Sequence, residues 1–497
     1  MDGQTDQMGG ERPPYATDAI RDAVLAGLAE GERAQLGRGL AEEVAVRGLG
    51  ALGEATTLPH VDWVRTSTAP GDTGQPLMLF RVLNPDMPFL VDSVMNTIQH
   101  HDVEARVLLH PLLEIARDGS GGVADVSVAT RSGSRGAASA DEHAAQDNAS
   151  AGRHSLILVG IQAITADLAD IIVEELRRTL ADVAASVADW RAMQDRFARA
   201  TDELSAARTN VDADRQSEAV AFLRWMLDGQ FVFLGMREYR LTGDAASGEL
   251  ETVAGSGVGV LRDPEVQVLR RGSELVALTS EVRAFYLEPR AVFVTKSNVV
   301  SRVHRAAYMD YIGVKLYGGD GALAGELRVV GLFTSKAYTM AAADIPLLRL
   351  KAERVIADAG YVPGSHDAKA LVNVIDTFPR DELFQSPIDL LTEWAPQIVA
   401  LETRPQTRLF VRVDPFNRFV SALVFMSRER FSTAVRQRIG EHLAEKFGGR
   451  VVMFQPYFTD GRLVRVHFII GRFGSAAPNT IDVAKLEQDV ADLSRNW

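Results

Sequence analysis

The sequence predicts an α+β protein: two ferredoxin-like βαββαβ modules flank a β-rich middle unit, with helical linkers between them. Three observations carry this. At either end, apolar residues alternate with period two, then with period 3.6, in the order strand, helix, strand, strand, helix or a permutation of it. In the centre, five strand-like runs follow one another with Gly-rich turns between them. At 497 residues the chain exceeds what one hydrophobic core supports, so it must divide.

Residues 1–16 are polar and predict a disordered start. The first module covers 17–185. Thr17 caps a helix with Ile20, Val24 and Leu28 on one face. Leu77 to Asn84 alternates as a strand, Pro85-Asp86 turns, and Pro88 to His101 reads as a helix with Pro88 at its first position. Val103 to Arg117 is extended, 132–153 is a Ser/Gly/Ala-rich insertion, and His154 to Ile164 is a strand. Thr165 then caps a helix bearing Leu168, Ile172, Leu176 and Leu180. A fourth strand is not visible in this order. A helical linker spans 186–228, and the β-rich unit spans 229–340 with a hairpin at Gly318 to Gly321. A helical module covers 341–404; Ser386-Pro387 opens a helix that Pro396 is expected to interrupt. The last module, 405–497, reads ββαββα, with turns at Asp414 to Asn417 and Thr459 to Gly461 and a final helix from about Thr480. If Leu409 to Pro415 takes the place of the fourth strand, this is a permuted βαββαβ sandwich.

Composition excludes several classes. With no cysteine, there are no disulfides, thiolate metal sites or cysteine nucleophile. The formal net charge of −13 and the absence of a basic block argue against nucleic acid as a partner. No apolar run reaches membrane-spanning length and no secretory signal opens the chain, so a cytoplasmic, membrane-free protein is expected. Gly255 to Gly259 lacks the dinucleotide fingerprint spacing and precedes a strand, so it reads as a turn. No catalytic residue, cofactor or metal site is expected in this segment; His100-His101 is a solvated helix end.

Three places could carry ligand chemistry. The turn Asn84 to Pro88 precedes a helix whose N-terminal amides can take a carboxylate, with Asp86 or Asp92 taking an ammonium group. The alternative is that Asp86 only caps that helix. Asp414 to Arg418 offers a weaker version between two strands. Arg302, His304, Arg305, Tyr308, Asp310 and Lys315 could bind an anion or form an interface. The favoured reading is that they are outward residues of a half-exposed sheet, paired with Glu326 and Arg328. Phe378 to Gln385 reads as a helix start whose Asp381 and Glu382 favour the dipole.

Several stretches, running in one order over most of the chain, resemble the large NAD-specific glutamate dehydrogenases of bacteria. They are NPDMPFLVDSV (from Asn84), HPLLEIARDGSG (from His110), FVFLGMREY (from Phe231), SRVHRAAYMDYIGVK (from Ser301), GLFTSKAY (from Gly331), FPRDELFQ (from Phe378) and LFVRVDPFNRFVSALVFMSRERF (from Leu409). The resemblance implies an N-terminal regulatory segment with ACT-type modules and a PAS-like middle unit. It further implies amino-acid effectors bound between paired modules, homo-oligomers, and a downstream catalytic domain that uses NAD. The C-terminal LEQDVADLSRNW reads as an unfinished helix, as in a truncated segment.

Overall fold

The computed structural model describes residues 13–67, 76–129, 152–243, 249–268, 270–271, 274–275, 286–459, 461–472 and 482–495. Most of the start expected to be disordered and of the 132–153 insertion lie outside these residues, as do Asp460 and the expected helix start at Thr480. The chain forms two units, Met1–Asp189 with Ser301–Ala307, and Trp190–Val300 with Tyr308–Trp497.

The first unit runs α1 (Asp18–Leu25), α2 (Glu30–Leu36), α3 (Arg38–Glu54), β1 (His60–Arg65), β2 (Leu77–Pro85), α4 (Leu90–Gln99), β3 (Ala105–Leu109), β4 (Leu112–Arg117), β5 (Val123–Val128), β6 (Arg153–Gln162) and α5 (Ala166–Ala188). Thr17 and Thr165 cap α1 and α5 through their side chains, as their sequence positions suggest. Ala16, within the start expected to be disordered, is fully buried in the core that includes α3 and the sheet. The sheet order is β1-β2-β6-β4-β5 with β3 also on β6, and every pairing is antiparallel. The strand missing from the sequence reading is therefore β1, which pairs with β2 from His60 opposite Leu83 to Arg65 opposite Met78. Its six residues are mostly half-buried, so the apolar alternation that marks a strand is faint. Leu79 and Leu83 face a core with Val44, Leu49 and Leu52 of α3. Met78, Phe80 and Val82 alternate to the other face.

The second unit opens with α6 (Trp190–Ala206) and α7 (Ala213–Trp225), then β7 (Phe231–Thr242), β8 (Glu249–Thr252), β9 (Val258–Gly259) and the short pair β10 (Arg270–Arg271) and β11 (Glu274–Leu275). It continues through β12 (Val292–Val300), β13 (Tyr308–Tyr317) and β14 (Leu323–Phe333). These give an antiparallel sheet ordered β12-β13-β14-β7-β8, with the expected hairpin across Gly318 to Gly321. Helices α8 (Ser335–Thr339), α9 (Leu348–Asp358), α10 (His366–Thr377), α11 (Arg380–Gln385) and α12 (Ile388–Thr403) follow. Pro396 lies inside α12 without interrupting it. Proline removes one ladder bond, and burial of Leu391, Trp394, Ala395 and Ile398 along that helix outweighs the loss.

The last module contains β15 (Arg408–Val413), β16 (Phe419–Ser427), α13 (Thr433–Phe447), β17 (Gly449–Phe458), β18 (Leu463–Arg472) and α14 (Val483–Arg495), in sheet order β15-β16-β18-β17. The first unit repeats this topology: β1 and β2 stand where β15 and β16 stand, and β6 where β18 stands. Both modules are the permuted ββαββα form. Val420, Ala422, Val424 and Met426 pack on Val435, Ile439 and Leu443 of α13, whereas Leu423 and Phe425 join the core of the middle sheet and helices. The last module thus buries both faces of its sheet.

Candidate functional site

The β2–α4 turn of the first unit is set by backbone constraints. Phe89 adopts a left-handed conformation, φ 70°, and serves as N-cap without any side-chain cap bond. That reversal keeps Pro88 out of the helix, so the first helical residue is Leu90 and not Pro88 as the sequence suggests. Ser93 N closes the first ladder bond on Phe89 O at 3.0 Å, which leaves the N–H groups of Leu90, Val91 and Asp92 ahead of the ladder. The helix dipole adds positive potential at the same point.

Asp86 does not cap α4. Its N–H donates to Arg153 O at 3.0 Å, and its Oδ1 accepts the Ser155 hydroxyl at 2.8 Å. Ser155 Oγ lies 3.1 Å from His110 Nε2, and with its proton spent on Asp86 it accepts from the imidazole. Asn84 is buried and donates to Pro85 O. Asp86 is thus held at the mouth of the turn by one neutral donor, the Ser155 hydroxyl, and by its own N–H on Arg153 O, and neither bond supplies a positive charge.

Segment Ser301–Ala307 belongs to this first unit and covers the first turn of α4. His304 N donates to Ser93 Oγ at 3.0 Å, and Asn96 Nδ2 donates to His304 O at 2.7 Å. The His304 ring lies 5.2 Å from that of Phe89, and its Nδ1 is 3.1 Å from Asp92 Oδ2. Arg302 reaches Asp182 of α5 at 3.2 Å. His304 itself takes φ 66°, a left-handed backbone held by these contacts.

The basic cluster of the sequence is therefore divided: Arg302, His304 and Arg305 lie in the first unit, Tyr308, Asp310 and Lys315 on β13 in the second. Asp310 and Lys315 are not outward residues of a half-exposed sheet, since they and Glu326 are buried, whereas Tyr308 is half-buried. Lys315 stands opposite Glu326 in register, yet its Nζ donates to Glu288 O at 2.6 Å. Glu326 instead accepts the Tyr311 hydroxyl and pairs with Arg328 at 3.2 Å. Burial lowers the Lys315 ammonium to about 8 and raises the Tyr308 phenol. Burial, with Asp381 close by, raises the Asp310 carboxyl to about 6 against the pull of Lys296 at 2.6 Å.

Asp414 and Arg418 close the β15–β16 turn on each other. Arg418 donates from N and Nε to Asp414 Oδ2 at 3.1 and 2.8 Å, and from Nη2 to Oδ1 at 2.9 Å. Both side chains are almost fully buried, and Arg418 Nη2 continues to Thr295 Oγ1 at 3.0 Å. By topology, the counterpart of the β2–α4 turn is Ser427 to Ser432, where the Ser432 side chain accepts from Val435 N as a helix cap.

The stretch FPRDELFQ is more than a helix start. Asp381 and Glu382 do sit in the first turn of α11, but Asp381 binds Lys296 at 3.1 Å and accepts from Tyr338 Oη at 3.0 Å. Glu382 takes two bonds of 2.7 Å from Arg412 on β15. Sequence reasoning passed over Glu382–Arg412, Ser155, Ser93 and Asn96, whose roles depend on partners 30 to 211 positions away. His110, Ser93, Glu382 and Arg412 do fall inside the stretches that carry the family resemblance, whereas Ser155 and Asn96 lie outside them.

Two other features are less promising. Glu54, His60 and Asp62 could converge on a metal ion, but Arg81 already donates to both carboxylates. A groove of about 520 Å³ lies at the far end of α4, lined by Met95, Gln99, Glu104 and Arg106, away from the β2–α4 turn.

This geometry, two permuted ββαββα sandwiches with a helical module before the second, defines a class: tandem ACT modules with a helical motif. Family models agree, matching the glutamate dehydrogenase ACT1 domain at residues 59–180, its helical motif 1 at 345–404 and its ACT2 domain at 408–497. The chain is 32% identical over 426 residues to an NAD-specific glutamate dehydrogenase of Halomonas elongata, and 31% over 419 residues to one of Pseudomonas aeruginosa. Each of these matches takes in 84% of this chain. A Mycobacterium tuberculosis enzyme of the same name is 30% identical over 335 residues, 65% of this chain and 19% of its own length. The chain belongs to the NAD-specific glutamate dehydrogenase family. It spans about a quarter of the length of the Halomonas and Pseudomonas relatives, 25% in each case.

Proposed function

We propose that this chain is the N-terminal regulatory and oligomerisation segment of an NAD-dependent glutamate dehydrogenase. The whole enzyme would convert L-glutamate, NAD and water to 2-oxoglutarate, ammonia and NADH in the cytoplasm. Its catalytic domain and NAD site would lie outside these residues, so the segment alone would be inactive. Residues 17–185 and 405–497 would act as ACT modules, with 186–228 and 341–404 as helical connectors and 229–340 as a PAS-like or ACT-like middle domain. The partners would be further copies of the chain, the downstream catalytic domain and an amino-acid effector, with no role for nucleic acid or membrane. Among the described residues, no helix is long and apolar enough to cross a membrane.

The observation that supports effector sensing is the β2–α4 turn. Amides ahead of the helix ladder suit a ligand carboxylate, and Asp86, fixed by Ser155 and charged, suits its ammonium group. Binding there would bias the oligomer only through unequal affinity for its two states. A thermal-shift screen of the proteinogenic amino acids at millimolar concentration tests it. At 100 times its dissociation constant, the effector would stabilise the segment by about 2.7 kcal/mol, and Asp86→Ala would remove the shift. If no amino acid moves the transition, the sensing role is wrong.

A second reading, a purely structural assembly segment, is favoured by His304: Asp92 and the first turn of α4 already have protein partners. It expects association without any ligand response.

A further inference from the structure

Charge is distributed unevenly along this chain. Residues 1–189 hold 14 Arg and no Lys against 28 Asp and Glu, whereas 405–497 hold 14 Lys and Arg against 9 Asp and Glu. An acidic first unit and a basic last module are thus built into one polypeptide.

Within the basic module, β17 is an outer strand that pairs only with β18 among the described residues. A strand of ten residues with one open edge presents unpaired N–H and C=O groups, and such edges are ordinarily blunted by charge or proline. Here the strand carries only Pro456 and Arg450 for that purpose, and it exposes aromatic rings instead. Phe454 is 44% exposed, Tyr457 38% and Phe458 47%. Each ring is covered by a guanidinium: Arg436 at 3.6 Å over Phe454, Arg465 at 4.7 Å over Tyr457 and Arg428 at 5.2 Å over Phe458.

A guanidinium resting on a ring is partly desolvated and fixed in place, while its N–H edge stays free to take a carboxylate. No carboxylate of the described residues forms an ion pair with Arg428 or Arg436. Aromatic and arginine side chains together are the composition of interface centres, where they supply most of the binding energy. Two such faces brought together would set like charges against each other, so the face does not suit its own copy. It suits an acidic surface.

We propose that the β17 face docks on the acidic first unit of a second copy of this chain, joining copies head to tail. The inference rests on the self-association proposed above. Contact between unlike surfaces closes into a ring or runs on as a chain, so assemblies larger than a dimer are expected. Because the attraction is between partly exposed charges, it weakens as salt shortens the screening length.

The test is sedimentation of the full chain in 0.05 M and 0.5 M NaCl, alone and as Arg428→Glu/Arg436→Glu and Phe454→Ser/Phe458→Ser. Both variants alter exposed or half-exposed positions, and circular dichroism checks that they fold. Support would be association at low salt that weakens at least about tenfold in high salt and in both variants. Association that neither salt nor substitution changes would overturn this docking mode while leaving self-association standing. Tighter association of the charge-reversed chain would mean that β17 pairs with β17, and would overturn it too. A chain monomeric in every condition would overturn self-association and this inference together. None of these outcomes bears on effector sensing, which the thermal-shift screen decides separately.

Discussion

Replacing Arg412 by Met should cost roughly 3–5 kcal/mol, whereas replacing it together with Glu382→Leu should restore most of that loss. The magnitude follows from burial and geometry. Arg412 is 6% exposed and Glu382 1%, and the two share parallel bonds of 2.7 Å. The guanidinium holds the Glu382 carboxyl below its usual range although burial pushes the other way. Removing Arg412 leaves a buried carboxylate without its cation, with the Ser421 hydroxyl and His467 at 3.8 Å beside it. Removing both charges eliminates the desolvation cost, including that of Arg412 Nη1, which has no hydrogen-bond partner among the described residues. A coupling energy of about 2–4 kcal/mol is therefore expected across the cycle. Urea unfolding followed by tryptophan fluorescence measures it. Trp394 packs 5.3 Å from Phe410, two positions before Arg412, and reports on this region. A loss below about 1 kcal/mol for Arg412→Met, or a double variant as unstable as the sum of the singles, would refute the argument.

His467, fully buried beside Ser421 at 2.9 Å, has its imidazole lowered to about 4 by burial, against the pull of Glu382. It stays neutral in the folded chain while the unfolded chain protonates near 6.5, so stability is present above that pH and falls as pH drops toward 4. The loss over that window is on the order of 3 kcal/mol, and His467→Asn should flatten the corresponding stretch of the stability profile measured by urea unfolding. His304→Ala should release the segment over α4: amide exchange of residues 301–307 and of the first α4 turn is expected to rise by about tenfold, with exchange at β16 and β18 unchanged. Equal exchange in both proteins would show that the backbone bonds to Ser93 and Asn96, not the ring, hold the segment.

Much of the architecture was legible because it depends on local chemistry. Thr17 and Thr165 cap helices from positions any reader of periodicity would choose, and the Gly318–Gly321 hairpin follows from turn residues alone. The absence of cysteine and the acidic balance needed no coordinates. Family membership was likewise written in ordered motifs, because shared stretches outlast the divergence around them. Where the signal was short and amphipathic it failed: β1 shows hardly any alternation and was not read as a strand.

The sequence alone determined the α+β class, the two terminal modules and the family. Only the tertiary structure decided what the charged residues do. Asp86, open in the sequence to either a ligand or a helix cap, is the partner of Ser155, the basic cluster is divided between two units, and Asp414 with Arg418 closes on itself. The physical reason is that a charge is committed by whatever lies within a few ångströms of it, since Coulomb and hydrogen-bond energies are decided at that range and burial amplifies them. For Glu382 and Arg412 that neighbour is 30 positions away along the chain, and for His304 and Ser93 it is 211, separations that no local pattern encodes.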